Sequence, residues 1–257
     1  MSATLLAKLV ATPLLIAAAT LSGRRWGHSV GGWLVGLPLT SGPVALFVAL
    51  EHGPGFATAT AIATLFGVVS QAAFAVAYSR TLARGIPLAL LSGTAAFAAF
   101  TVLFDLFPQS LLPGVVASLG GLGLGLWLLG AGAPAASEPA PPAWDLPLRM
   151  LLATALVVGL TAISGAIGAR LTGLLTPYPI YATVLALFAG SAGGQVMRGL
   201  LSGLFGFVAF FTVLALLLVP AGLIAAFVAA LAVNLAVQAA ALVLLRGSAR
   251  PPGPGSR

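Results

Sequence analysis

The sequence contains no cysteine and very little charge, since only 6% of its 257 residues are Asp, Glu, Lys or Arg. Without cysteine the chain has no disulfide, no thiolate metal ligand and no thiol nucleophile. A soluble domain carries about 25% charged residues. A chain that is 60% hydrophobic therefore does not have water as its only solvent.

Apolar runs of about 20 residues follow one another almost without pause, and each is long enough to cross a bilayer core of about 30 Å. The alternating polarity of an outer-membrane strand is missing, because these runs are apolar on every face. The pattern predicts an all-α polytopic membrane protein with about nine transmembrane helices. The predicted spans are 4–21, 30–50, 56–79, 86–107, 111–131, 148–163, 171–189, 195–219 and 221–245.

Prolines, glycines and hydroxyls interrupt two of these spans. Residues 36–43 read Gly-Leu-Pro-Leu-Thr-Ser-Gly-Pro, and residues 173–179 read Gly-Leu-Leu-Thr-Pro-Tyr-Pro. Such residues free backbone polar groups, and each unsatisfied group costs several kcal/mol in hydrocarbon. Interrupted backbone therefore persists where it is buried in protein or lines a wet cavity. The alternative interpretation is a packing kink whose hydroxyls bond their own backbone.

The interruptions belong to an internal repeat. Gly31 and Gly36 precede Gly168 and Gly173 by 137 positions, and Leu-Phe-Gly at 65–67 returns at 204–206. Each interrupted span is preceded by one span and followed by two, which predicts two four-helix repeats joined by a connector helix. The predicted units are the first repeat 1–109, the connector helix 110–131, a Pro/Ala-rich loop 132–147, the second repeat 148–246 and a disordered tail 247–257.

An odd number of connector helices inverts the second repeat relative to the first. If all nine spans cross, nine arginines lie on the cytoplasmic side, and Lys8 and Arg170 lie outside. If 111–131 does not cross, the count becomes five against six. The positive-inside rule favours inversion with a cytoplasmic C-terminus. The scattered arginines are then topology signals, so no nucleic-acid partner is expected.

Several short segments resemble the GlpM family and related small four-span bacterial proteins. They are Gly-Leu-Pro-Leu-Thr at 36–40, Ala-Leu-Glu-His-Gly at 49–53, the stretch 169–181 and Gly-Leu-Phe-Gly at 203–206. The resemblance covers each half, so the chain looks like two fused units. It implies a multi-pass protein of the bacterial-type inner (plasma) membrane with a link to exopolysaccharide production, and it supplies no catalytic residue. The two halves differ where Glu51-His52 faces Leu187-Phe188.

Interrupted segments in corresponding positions of two halves point to a transporter site near the bilayer midplane. Glu51-His52 is a candidate proton-linked pair, because histidine titrates near neutral pH; the alternative is an interfacial cap. The amides of Gln71, Asn234 and Gln238 are predicted to join helices. The predicted substrate-binding residues are Pro38, Thr40, Ser41, Pro43, Thr176, Pro177, Tyr178 and Pro179.

Three functions remain open from the sequence. The first is a small-molecule or ion transporter, and the second is a non-transporting scaffold or component of envelope polysaccharide assembly; a channel is a third possibility. No enzyme is expected, because the chain has no GxxxxGK phosphate loop and no serine identified as a partner for His52. No metal or cofactor is expected, since His28 and His52 fall on opposite sides of the membrane in this topology. The expected partners are the lipid bilayer and a small solute, and the expected state is a monomer or weak homo-oligomer.

Overall fold

The computed structural model describes residues 3–26, 37–130, 144–190 and 193–248. These ranges form eight α-helices and a 3-10 turn, Leu82–Arg84, with no strand among them. The helices are α1 Ala3–Trp26, α2 Ser41–Thr81, α3 Ile86–Asp105, α4 Leu111–Leu129, α5 Asp145–Leu175, α6 Ile180–Ala189, α7 Gly193–Leu217 and α8 Leu223–Ser248.

Six segments of the described chain are long and apolar enough to cross a membrane, which indicates a multi-pass helical membrane protein. A further apolar helix, Thr4–Ala18, is shorter. Full-length spans thus number six in this part of the chain, where the sequence predicts nine in all. The six are Ser41–Arg84, Ile86–Asp105, Leu111–Leu129, Asp145–Leu175, Gly193–Leu217 and Leu223–Ala241.

Breaks within helices account for much of this difference. The segment 41–52, predicted to close the second span, is separated from the third span by Gly53, whose angles (φ 84°, ψ 171°) are not helical, so the range Ser41–Thr81 comprises two helical segments. The predicted span 171–189 is instead divided between the end of α5 and the ten-residue α6. A second kink, at Gly168 (φ 80°, ψ 168°), lies just before that division. Only glycine adopts such backbone angles without a steric cost.

Helix α2 is the centre of the fold. It packs against α3, α4, α5 and α7, while α1 lies on α5 and α8 lies on α7. Its largest fully buried side chains are Tyr78, Phe74 and Leu65. A helix that is apolar on every face is expected in such a position, so α2 provides the surface on which the breaks are placed.

Two glycines hold the second break directly against α2. A Cβ on Gly67 would lie 2.6 Å from Pro177 Cγ and 2.7 Å from the carbonyl oxygen of Leu174. A Cβ on Gly173 would lie 2.5 Å from Ala63 Cβ. Small residues allow such close backbone approach between membrane helices, so these positions fix how deep the break sits.

The predicted loop and tail fall mostly outside the described residues, at 131–143 and 249–257. Helix α5 begins at Asp145, a little before the predicted start at 148. Asp145 accepts a 2.7 Å hydrogen bond from Arg149 Nε inside this first turn. A carboxylate is favoured at a helix N-terminus, which extends the helix into the predicted loop.

Candidate substrate cavity between the helix breaks

The two breaks meet in the interior of the protein. Residues 37–40 form a turn before α2 begins, and residues 176–179 link α5 to α6. Ser41 Oγ donates a buried hydrogen bond of 3.1 Å to the carbonyl oxygen of Thr176, across 135 positions of sequence. This bond joins the interrupted segment of one predicted repeat to that of the other.

A cavity of about 50 Å³ lies at this junction. One water molecule needs at least about 10–15 Å³ of such volume, so the space holds a small ion or a few waters. Six of the eight predicted substrate-binding residues line it: Pro38, Thr40, Ser41, Pro177, Tyr178 and Pro179. The other described lining residues are Leu37, Leu39, Gln71, Leu200, Leu204 and Phe207.

The remaining two predicted residues lie beside the cavity without lining it. Pro43 is buried in the first turn of α2, where the missing N–H of proline is tolerated. Thr176 is fully buried, and its Oγ1 donates a 2.6 Å hydrogen bond to Thr172 O in its own helix. The Thr176 hydroxyl therefore bonds its own backbone, as the packing-kink interpretation predicts.

Gln71 is a wall residue of the cavity that the sequence interpretation assigned to helix joining. Only 5% of it is exposed, and its Oε1 has no hydrogen-bond partner in the ranges that the structure describes. A buried amide without a partner costs about 1–3 kcal/mol. The signal in the sequence was that Gln71 is the one amide side chain of α2.

Two helices begin at the cavity. At the start of α2, Thr40 forms no side-chain cap, and the Gly42 N–H bonds Pro38 O at 2.7 Å. At the start of α6, the Ile180 N–H bonds Tyr178 O at 2.8 Å. Neither first turn contains an acidic residue. The positive ends of both helix dipoles therefore lie at the cavity without a protein carboxylate.

Tyr178 separates this cavity from a second, larger space. A groove of about 550 Å³ lies between α3 and α5, with Phe97, Leu156 and Ile163 among its apolar walls. Tyr178 lines both spaces. Its ring packs edge-on against Phe97 at 5.1 Å between centroids, and its hydroxyl lies 3.0 Å from Thr94 Oγ1.

The candidate proton-linked pair lies away from the cavity. Glu51 and His52 end the segment 41–52, about 16 Å along the helix from Ser41 at 1.5 Å per residue. Glu51 Oε1 accepts a hydrogen bond of 2.6 Å from Lys8 Nζ on α1. The His52 ring stacks on Phe56 at 4.5 Å between centroids.

His52 has a serine partner that the sequence did not identify. Its Nε2 lies 2.8 Å from Ser164 Oγ on α5. Ser164 donates its own proton to Thr161 O at 2.7 Å, so the hydrogen between the two side chains belongs to Nε2. A serine nucleophile needs the opposite direction, from hydroxyl to base. The contact therefore anchors α2 to α5.

Two described arginines near helix ends, Arg170 and Arg198, donate to backbone carbonyls. Arg170 Nη1 donates a 2.7 Å hydrogen bond to Asp105 O at the end of α3. Arg198 Nη1 donates to Leu126 O and Gly130 O at the end of α4. A cation is favoured at a helix C-terminus. Within the described ranges no three or more His, Asp or Glu residues form a metal-binding group.

Comparison with protein-family models, with curated proteins and with solved structures finds no significant match. The GlpM-like assignment therefore stays a prediction that rests on the short sequence segments alone. Function is argued from the geometry of the breaks.

Proposed function

We propose that the protein transports a small ion or small polar molecule through the cavity between the helix breaks. The observation that carries this proposal is the contact of the two breaks, where Ser41 Oγ bonds Thr176 O beside a cavity. Broken helices are costly in lipid and persist where they line a cavity. Paired broken helices are typical of midplane sites in transporters.

The volume of the cavity limits the size of the substrate. Pockets for drug-sized ligands measure about 300–1,000 Å³, whereas this cavity measures about 50 Å³. A sugar or nucleotide does not fit in such a space. The proposed substrate is therefore an ion or a molecule of a few heavy atoms.

Corresponding glycines support the proposed inverted repeats. Gly53 and Gly190 stand 137 positions apart, and both have positive φ, at 84° and 53°. Each ends the short helical segment that follows its break. The connector α4 has 19 residues, or about 28 Å of helix, which is the length needed to cross a bilayer core and to invert the second repeat.

Contacts at the helix ends support the same topology. The predicted inverted arrangement puts Lys8, Glu51, Asp105 and Arg170 on one side of the membrane, and Lys8 contacts Glu51 while Arg170 contacts Asp105. It puts Arg198 on the other side with the end of α4, where Arg198 bonds Gly130 O. Because a fused pair needs no second copy, we expect a monomer or weak homo-oligomer in the inner membrane.

A flux assay in liposomes tests the proposed function. Purified protein is reconstituted, and efflux of a panel of small salts and neutral solutes is followed after dilution. Thr40→Val keeps the shape of the side chain but removes a hydroxyl from the cavity wall, so flux is expected to fall at least about tenfold. Thr212→Val is the matched control, because Thr212 Oγ1 bonds Val208 O in α7 and does not line the cavity.

The scaffold alternative predicts the opposite pattern. If the reconstituted protein moves no solute in the panel, or if Thr40→Val and Thr212→Val have the same flux, the transport proposal is wrong. Size-exclusion profiles in detergent confirm that each variant is folded before flux is compared.

Cysteine labelling tests the inversion separately, since the chain has no native cysteine. Ala166→Cys lies near the end of the long segment of α5, and Ser29→Cys lies outside the described residues, between the first two predicted spans. Opposite sidedness towards an impermeant thiol reagent is expected. Labelling of both positions from one side would contradict the inverted arrangement.

A further inference from the structure

We infer that the cavity between the breaks accepts a small monovalent anion. This inference rests on the proposed transport function and names its class of substrate. It is carried by three observations together: two helix N-termini at one cavity, an unpaired buried amide on its wall, and a helix end at which most carbonyls already have donors.

The helix ends supply about one positive charge. Each helix N-terminus behaves as roughly +0.5 elementary charge, and α2 and α6 both begin at the cavity. In the described part of the chain, the backbone N–H groups of Thr40 and Ser41 have no acceptor. Free N–H groups at a helix N-terminus form an anion-binding site.

Most of the carbonyls at the opposing helix end are already occupied. Thr172 O and Gly173 O accept from the Thr176 N–H, Leu175 O accepts from the Tyr178 N–H, and Thr176 O accepts from Ser41 Oγ. The C-terminal end of α5 therefore offers few free acceptors to a cation. Among the described residues, the Thr40 and Ser41 N–H groups at the start of α2 are unpaired donors.

Gln71 adds a side chain that is 95% buried and lacks a partner for one amide atom. An amide is assigned its orientation from the hydrogen-bond network, and its O and N exchange on a 180° rotation. With the NH₂ group turned into the cavity, Gln71 donates to an anion beside Ser41. An anion would therefore pair with the NH₂ group of Gln71, while its Oε1 has no donor in the described ranges.

The charges around the cavity disfavour cations and divalent anions. No described carboxylate lines the cavity: Glu51 pairs with Lys8, Asp145 pairs with Arg149, and Asp105 lies at the end of α3. A cation would thus be buried without a counter-charge, at a large cost. A divalent anion would exceed the roughly single positive charge of two helix ends.

The test is ion efflux from proteoliposomes loaded with potassium salts, with valinomycin to carry the potassium. Chloride and nitrate are measured with ion-selective electrodes, sulfate by the same method, and glycerol by light scattering. Chloride or nitrate efflux is expected to exceed sulfate efflux at least about hundredfold. Glycerol flux without anion flux overturns the anion inference and leaves the transport proposal standing, whereas no flux of any solute overturns both.

Variants at Gln71 test whether this side chain contributes to anion binding in the cavity. Gln71→Leu is expected to reduce chloride and nitrate efflux about tenfold, and Gln71→Glu, which adds a negative charge, is expected to abolish it. Gln238→Leu is the matched control, since Gln238 is a buried amide on α8 that bonds Asn234. Anion efflux that is unchanged in both Gln71 variants overturns the inference, and folding is checked by size-exclusion chromatography in each case.

Discussion

The cavity at the breaks and the groove between α3 and α5 differ in size and in the polarity of their walls. The cavity at the breaks is about 50 Å³ and has hydroxyl, amide and free backbone groups on its wall, whereas the groove between α3 and α5 is about 550 Å³ and almost entirely apolar. In a bilayer an apolar groove is filled by lipid tails at little cost, because the tails are as apolar as leucine. The polar groups on its wall, and not its volume, therefore single out the cavity at the breaks as the site of the proposed solute.

The largest effect is expected from a substitution that displaces the second helix break from α2. Gly173→Val would place side-chain carbons against Thr60 O and Ala63, and overpacking costs typically 1–3 kcal/mol and sometimes more. Loss of the folded protein or complete loss of flux is expected. The measurement is the fraction of protein that stays monodisperse after heating.

Gly159→Val is the control for that change. Gly159 lies on the same helix, and a Cβ there meets no atom within 4 Å. The control is expected to keep both stability and flux. Equal heat sensitivity of the two variants would show that the approach of the break to α2 is not the cause.

The contact between the breaks is the next feature to test. Ser41→Ala removes the hydrogen bond to Thr176 O, which contributes about 1 kcal/mol to stability and fixes the two breaks relative to each other. Flux is expected to fall about tenfold with the unfolding midpoint lowered by a few degrees. Ser202→Ala removes a hydroxyl that bonds only Arg198 O in its own helix, and it should change neither quantity.

Tyr178 forms the wall between the two spaces, so its hydroxyl should have a smaller effect. Tyr178→Phe removes the 3.0 Å contact with Thr94 Oγ1 and keeps the ring. A reduction of flux of about two- to fivefold is expected. Thr94→Val should give the same reduction, and the double variant should give no more; additive losses would show that the two hydroxyls act separately.

The smallest effect is expected in the groove. Gly159→Leu would occupy part of the groove from the α5 side, where no atom stands in the way. Flux is expected to stay within about twofold of the original protein. A large loss would mean that the solute reaches the cavity through the groove, and the contrast between the two spaces would then be reversed.

The helical membrane class and the position of the breaks could be predicted from the sequence. Apolar runs and mid-span prolines are local signals, and they place Pro38, Thr40, Ser41, Pro177, Tyr178 and Pro179 at one cavity. The exact end of the second span could not be predicted, because Gly53-Pro54 is compatible with a loop as well as with a kink. In the structure Gly53, with a positive φ, ends the segment 41–52, and the next helical segment begins at Pro54.

Contacts between side chains on helices far apart in the sequence could not be predicted either. From the sequence Gln71 is one of several intramembrane amides, and only the fold places it in the cavity wall beside α7 and the breaks. Ser164 contacts His52 across 112 positions of sequence. The sequence pattern groups Pro43 and Thr176 with the cavity because they lie within the interrupted motifs. In the structure Pro43 lies in the first turn of α2, and the Thr176 hydroxyl bonds Thr172 O in its own helix.

The segment 41–52 of α2 has a mechanical consequence. It is a stiff rod with a pivot at Gly53, clamped at one end by Lys8–Glu51 and His52–Ser164 and bearing Ser41 at the other. Over about 16 Å of helix, a tilt of about 5° displaces the far end by about 1.4 Å, which is enough to part Ser41 Oγ from Thr176 O. Under the proposed transport function, a small rotation at the outer clamp is thus all the movement needed to separate the two breaks.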